Sequence, residues 1–261
     1  MRKVKSKTSF GEMILLGVGM YGLYKILGDN TPAIGQEIVP FYDFITGRES
    51  EEAKKKRIQK TMAVAKAYGI NTYTWKEGKM GEDNLMDCLN FVYNVLRDAG
   101  YRDENGNEIP RSRTNNMHKQ TAFFDIVDMF VPYIQRQQLV YTSISKRIQV
   151  GDIVVFAQFK VKDGIDIVSA QFPDDYRIGA GHAVLIKSFE TNREFLTYEM
   201  PYDKGPVSLP LKLTIDRYNE KILKFNQVVQ VHVLRPNRRL IRGYYLHEKK
   251  MTPQYLQGQM V

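Results

Sequence analysis

The chain has 261 residues, room for one sizeable domain with appendages, and its 43% hydrophobic and 26% charged content excludes wholesale disorder. A formal net charge of +9 favours an anionic partner, whether nucleic acid, a membrane surface or an acidic wall polymer, without choosing among them. A single cysteine excludes an intramolecular disulfide, so the fold must rest on its core; the thiol is either a small buried hydrophobe or a functional group.

At the start, Arg2, Lys3, Lys5 and Lys7 precede an apolar stretch from Met13 to Leu27, interrupted by glycines and Lys25. A basic region followed by a short apolar run predicts a targeting segment over residues 1–28, as a signal peptide or an N-terminal hydrophobic helix that anchors the chain to a membrane. The run is short beside the roughly 20 residues that cross a bilayer, so an amphipathic or buried helix is the alternative. Residues 29–48, with Pro32, Gly35, Pro40 and Gly47, read as a linker.

From Arg48 to about Gly69 the pattern is helical. Glu49, Glu51 and Glu52 open it, Lys54 to Arg57 follow, and Ile58, Met62, Val64 and Ala65 supply an apolar side. A second helix starts near Asn84 or Asp87, carries Leu85, Leu89, Val92 and Leu96 as one stripe, and stops at Gly100. Residues 101–119 are polar and irregular, with a turn at Asn105-Gly106. A third helix is predicted over Ala122 to Gln138, with Phe123, Ile126, Val127, Phe130 and Ile134 inward and Pro132 as a kink. Beyond Val140 the character turns to strands: Ile153 to Phe156, His182 to Ile186, Glu194 to Met200 and Val228 to Leu234. Helices first and strands afterwards predict an α+β domain over residues 49–235, with N-terminal helices packed on an antiparallel sheet. Residues 236–261, containing Arg238, Arg239, Arg242, Tyr244, Tyr245, Lys249 and Lys250, read as a basic, aromatic tail.

A thiol attacks an amide carbonyl as thiolate, which needs a neighbouring base and a field that favours negative charge. Cys88 falls in the first turn of the second predicted helix, where backbone N–H groups point outward. The same N–H groups suit a developing oxyanion. His182 opens a predicted strand directly after Gly179-Ala180-Gly181, a turn that leaves an imidazole accessible. Glu199, on the next predicted strand, is placed to orient that ring across a hairpin. A strand-start histidine and a strand glutamate also have purely structural readings. His118, His232 and His247 are scattered too widely along the chain for a zinc site, so neither a metal nor another cofactor is expected. Only the C-terminal tail interleaves basic and aromatic residues, so nucleic acid is not an expected partner.

Several segments, in order over roughly residues 60–235, resemble the NlpC family of papain-like cell-wall peptidases and the related CHAP amidases. Lys60 to Trp75 is similar to the family's entry helix and its Tyr-x-Trp approach to the active site. Asp87-Cys88-Leu89-Asn90-Phe91-Val92 resembles the Asp-Cys-Ser-Gly-Phe-Val nucleophile motif. Ile109 to Thr114 resembles the Pro-Arg-Thr loop, Val150 to Phe156 the Gly-Asp strand, Gly181 to Ile186 the histidine strand, and Leu196 to Glu199 the CHAP strand that carries an orienting glutamate.

The resemblance implies a papain-like fold and a cysteine peptidase or amidase acting on peptidoglycan. Cys88 would be the nucleophile, His182 the base and Glu199 the orienter, with a wall hydrolase of a bacterial envelope or of a phage virion as its setting. It implies that Tyr73 lines the acyl pocket, with a core tyrosine as the alternative. Asp87 is assigned to substrate contact, with helix capping as the alternative. Departures are Leu89 for serine, Asn90 for glycine, Thr197 where the NlpC branch carries a third-position histidine, Pro201 for a CHAP asparagine, and a long insertion over residues 157–179. A family-like scaffold that binds wall or membrane without cleaving is the competing function; retention of Cys88, His182 and Glu199 together counts against it.

Overall fold

The structure, a computed structural model, describes residues 41–70, 73–76, 79, 84–132, 136–160, 177–178, 181–201, 205–225 and 227–248. The chain divides into two units, Met1–Val39 and Pro40–Val261, and every described residue belongs to the second. The predicted targeting segment, residues 29–40 of the linker, and residues 161–176 of the insertion lie outside the described residues. Among those described, no helix is long and apolar enough to cross a membrane.

The domain is mixed α+β. A two-residue hairpin, β1 (Tyr42–Asp43) and β2 (Arg48–Glu49), leads into helix α1 (Glu51–Ile70), whose first turn carries Glu51 and Glu52 at the positive end of the helix dipole. Two short parallel strands, β3 (Thr74–Trp75) and β4 (Leu85–Met86), bring the chain to α2 (Cys88–Ala99). Asp87 caps α2 by accepting the Asn90 N–H at 2.7 Å. Gly100 ends it at φ 102°, a left-handed conformation that glycine adopts without a Cβ clash.

The sheet combines β5 (Phe124–Phe130), β6 (Ile153–Lys160), β7 (Arg177–Ile178), β8 (His182–Phe189), β9 (Phe195–Glu199), β10 (Val207–Pro210) and β11 (Gln227–Pro236). Its strand order is β10-β9-β8-β6-β11-β5, every pairing is antiparallel, and β7 adds to β6. A single turn, α3 (Tyr141–Ile144), precedes β6; α4 (Leu211–Phe225) lies between β10 and β11, and α5 (Arg238–His247) follows β11. Ile153 and Val155 pack into a core built from α1, α2 and α5, while Val154 and Phe156 pack into a second core with Leu211, Ile215 and Ile222 of α4. Both faces of β6 are therefore covered, which explains its unbroken apolar run: a half-exposed strand would alternate.

Three expectations are corrected. Residues 124–130, predicted as part of a helix over Ala122 to Gln138, form edge strand β5, paired with β11 from Phe124↔Pro236 to Phe130↔Val231. The spacing of Phe123, Ile126, Val127 and Phe130 suits a helix face, but β11 presents an open backbone edge whose hydrogen bonds a helix could not satisfy. Asp125 and Asp128 put charge on the outermost strand, where it discourages pairing with another chain.

The 236–261 segment is not simply a tail. Its residues 238–247 are α5, capped by Asn237, which accepts the Leu240 N–H at 3.0 Å, with Leu240 and Tyr244 buried in the first core. The end of the predicted linker also belongs to the domain. Tyr42 stacks on Tyr245 of α5 with ring centroids 4.8 Å apart, and Glu49 takes hydrogen bonds from Arg57 and from the Tyr245 hydroxyl at 2.9 Å. Helices thus occur in both halves of the chain, since α4 and α5 cover the two faces of the sheet.

Packing of α5 depends on Gly243. A Cβ there would lie 2.1 Å from the Arg102 carbonyl oxygen, a backbone atom with no room to retreat. Gly243→Ala should destabilise the fold by about 2–3 kcal/mol, read as a lower urea midpoint at unchanged slope.

Candidate active site

Strand register brings His182 and Glu199 together. Val184 pairs with Glu199 across β8 and β9, so His182, two residues before Val184, sits diagonal to Glu199 on the same side of the hairpin. The His182 Nε2 and a Glu199 carboxylate oxygen, Oε2, are 2.6 Å apart. Glu199 is fully buried, while the His182 side chain keeps 13% of its surface exposed.

Cys88, the first residue of α2, reaches the same place from the other side. Its Sγ lies 3.9 Å from the carbonyl oxygen of Gly181, the residue that precedes His182, and the thiol is near enough to the imidazole to favour its charged form. Since Nε2 is taken by Glu199, Nδ1 is the ring nitrogen left for sulfur. Three side chains separated by up to 111 positions in the sequence thus come together in one cluster.

The electrostatics of that cluster are mutually supporting. Burial disfavours an imidazolium, but Cys88 and Glu199 beside His182 outweigh it and push its pKa up to about 10. Burial likewise works to raise the Glu199 carboxyl, yet hydrogen bonds from His182, Thr214 and Thr197 hold it below the ordinary carboxylate value. The second carboxylate oxygen, Oε1, accepts from the Thr214 hydroxyl at 2.8 Å and lies 3.0 Å from that of Thr197. The cluster lies at the N-terminus of α2, whose positive dipole end suits a thiolate at Cys88, while α4 reaches the carboxylate through the Thr214 hydroxyl of its first turn.

Other residues singled out from the sequence have different positions. Asp87 caps α2, a structural task next to the thiol. Tyr73 packs against Tyr68 with ring centroids 5.5 Å apart, on the margin of the core cluster that includes Cys88. Asn90, a departure from the NlpC motif, accepts from Arg111 at 2.5 Å, and Asn94 one turn later accepts from the same guanidinium at 2.8 Å. The segment that resembles the Pro-Arg-Thr loop is therefore pinned to α2 by an asparagine that glycine could not replace.

Helix α4, and with it Thr214, is not among the elements expected from the sequence. The signal was present: Leu211, Ile215, Tyr218 and Ile222 recur at helical spacing and are all buried. Among the described residues no three potential ligands of the His, Cys, Asp and Glu types converge on one point.

His118 and His232, distant in sequence, are stacked with ring centroids 4.1 Å apart and planes 4° from parallel. Burial, aided by His118, pushes the His232 pKa down to about 3. The unfolded imidazole takes its proton near pH 6.5. The folded state refuses that proton until far lower pH, so this contribution is intact above pH 6.5 and declines as pH falls toward 3. The slope should be about 1.4 kcal/mol per pH unit over that window, and His232→Phe should flatten it in urea titrations run at several pH values.

No family model matches this chain, and no curated protein matches it significantly. Its class is consequently defined by its own geometry: an α+β domain in which a cysteine at a helix N-terminus meets a histidine and a glutamate from a strand hairpin.

Proposed function

We propose that the chain is a papain-like cysteine hydrolase that cleaves amide bonds of peptidoglycan stem peptides or cross-links. The observation that carries this reading is the meeting of Cys88, His182 and Glu199, with Nε2 held at 2.6 Å from Glu199 and the Cys88 Sγ at 3.9 Å from the carbonyl oxygen of the residue before His182. Such a cluster does one thing well. His182 accepts the thiol proton and the Glu199 carboxylate supports the resulting imidazolium.

The Cys88 thiolate then attacks the amide carbonyl carbon, and the C=O electron pair moves onto oxygen. Backbone N–H groups at the start of α2 face that oxyanion. Collapse expels the amine, which takes its proton from His182, and leaves a thioester on Cys88. Water, giving a proton to His182, attacks the thioester; the thiol departs with that proton and the carboxylic acid is released.

The choice of peptidoglycan rests on the NlpC and CHAP resemblance, and the net charge of +9 suits association with anionic wall polymers. The targeting segment at residues 1–28 would hold the enzyme at, or carry it across, a bacterial membrane. The test is digestion of purified peptidoglycan by the 261-residue chain and by Cys88→Ala, with mass spectrometry of the soluble fragments. New amino termini from the unmodified chain alone support hydrolysis and identify the bond. Binding to sacculi with no bond broken by either protein would replace this reading with a non-catalytic wall-binding scaffold.

A further inference from the structure

Glu199 Oε1 has two threonine hydroxyls around it, and counting protons separates them. A hydroxyl owns one proton to donate. The Thr197 Oγ1, 3.0 Å from Oε1, is also 2.9 Å from the carbonyl oxygen of Leu209, its cross-strand neighbour. That carbonyl can only accept, so a proton given to Leu209 is lost to Glu199. Thr214 Oγ1, 2.8 Å from Oε1, has no competing acceptor among the described residues. Its proton is committed to the carboxylate.

Thr214 is also rigidly delivered. It is 2% exposed, close to the N-terminus of α4, with Leu211 and Ile215 buried on either side. One turn further along, Tyr218 stacks on Phe156 with ring centroids 4.7 Å apart and planes 3° from parallel. Phe156 is the cross-strand partner of His182. The helix that supplies the hydroxyl is therefore locked to the strand position opposite the histidine, so the Thr214–Glu199–His182 spacing does not depend on a loop.

We propose that Thr214 is the positioning residue that keeps Glu199 ionised and turned so that Oε2 meets His182, a task that Thr197 performs only weakly because its proton is shared with Leu209. This role rests on taking Cys88, His182 and Glu199 as the reacting set. It also gives α4, which follows β10 and has no counterpart among the segments of family resemblance, a part in the site.

The measurement is a histidine NMR titration of the 261-residue chain, with the His182 signal assigned by its loss in His182→Gln. Thr214→Val should lower the His182 midpoint by about one pH unit, the effect of losing one hydrogen bond to a charged group. Thr214→Ser should restore it, and Thr197→Val should leave it close to wild type. The same order should appear in turnover of peptidoglycan, as a roughly tenfold fall in kcat for Thr214→Val with KM unchanged. Thr214→Ala takes the place of the valine variant if that chain does not fold.

An unshifted midpoint in the hydroxyl-free variants, or a shift in Thr197→Val equal to that at Thr214, would overturn the assignment. A shifted midpoint in a protein that releases no fragments from peptidoglycan would uphold the role of Thr214 and remove the hydrolase reading instead.

Discussion

Cys88→Ala should lower fragment release from peptidoglycan by at least about a thousandfold, while leaving the fold intact to within about 1 kcal/mol. The size of the kinetic effect follows from the chemistry. Without sulfur there is no acyl-enzyme, and only substrate binding and the oxyanion-directed N–H groups of α2 remain to assist water. The small stability cost follows from position: Cys88 is 6% exposed at the first residue of a helix whose cap, Asp87, is untouched by the substitution.

Because the chain contains one cysteine, a thiol reagent has a single target. Iodoacetamide should therefore abolish fragment release in proportion to the label incorporated, up to one group per chain. His182→Ala should slow that labelling at neutral pH by removing the base that shares the thiol proton. Equal release of fragments by wild type and Cys88→Ala, or full activity in fully labelled protein, would rule out the nucleophile.

Glu199→Gln should reduce kcat by about a thousandfold with an unfolding free energy within about 1–2 kcal/mol of wild type. The amide has the shape of the carboxylate, so the core at this point stays filled. Its chemistry is different in one decisive respect. With Thr214 donating to the retained carbonyl oxygen, the amide NH2 faces His182 and donates to Nε2. The imidazole proton is then forced onto Nδ1, the nitrogen that must be vacant to accept from sulfur. The ring is held in place and in the wrong tautomer.

The pH dependence of stability should change as well. In the unmodified protein the raised His182 pKa gives stability that is fully present below the unfolded imidazole value of about 6.5. That stability is lost as pH rises through about 10. The depressed Glu199 pKa gives stability present above the unfolded carboxyl value and lost as pH falls through the folded one. Glu199→Gln should remove the carboxyl contribution and reduce the imidazole one to the part that Cys88 supplies, seen as a flatter profile of urea midpoint against pH. Near-normal turnover in Glu199→Gln would show that the carboxylate does not orient His182.

Asn90 shows how a departure from a merely resembled motif acquires meaning in three dimensions. Beside Cys88, Asn90 in place of the motif's glycine could be taken as a sign against catalysis. In the fold its side chain is turned to Arg111, which also holds Asn94. The substitution alters how a neighbouring loop is fastened. Thr197 is the complementary case. It stands where a third-position histidine is expected, and the buried Glu199 two residues later occupies the place beside the ring.

Local chemistry in the sequence determined α1 and α2 to within a few residues of their ends, a capping alternative for Asp87, the glycine stop at Gly100, the β8–β9 hairpin, and the candidate roles of Cys88, His182 and Glu199. Each is legible because its cause lies within a few residues: a capping oxygen, a left-handed glycine, an apolar period. Tertiary structure decided that residues 124–130 extend as a strand on the open edge of β11, that residues 238–247 close the first core as a helix, and that His118 and His232 stack. It also decided that Thr214, carried by a helix inserted between two strands, comes to rest on the carboxylate. These outcomes depend on pairings between residues tens to over a hundred positions apart, whose hydrogen bonds and buried surface outweigh local preference and leave no mark on any one segment.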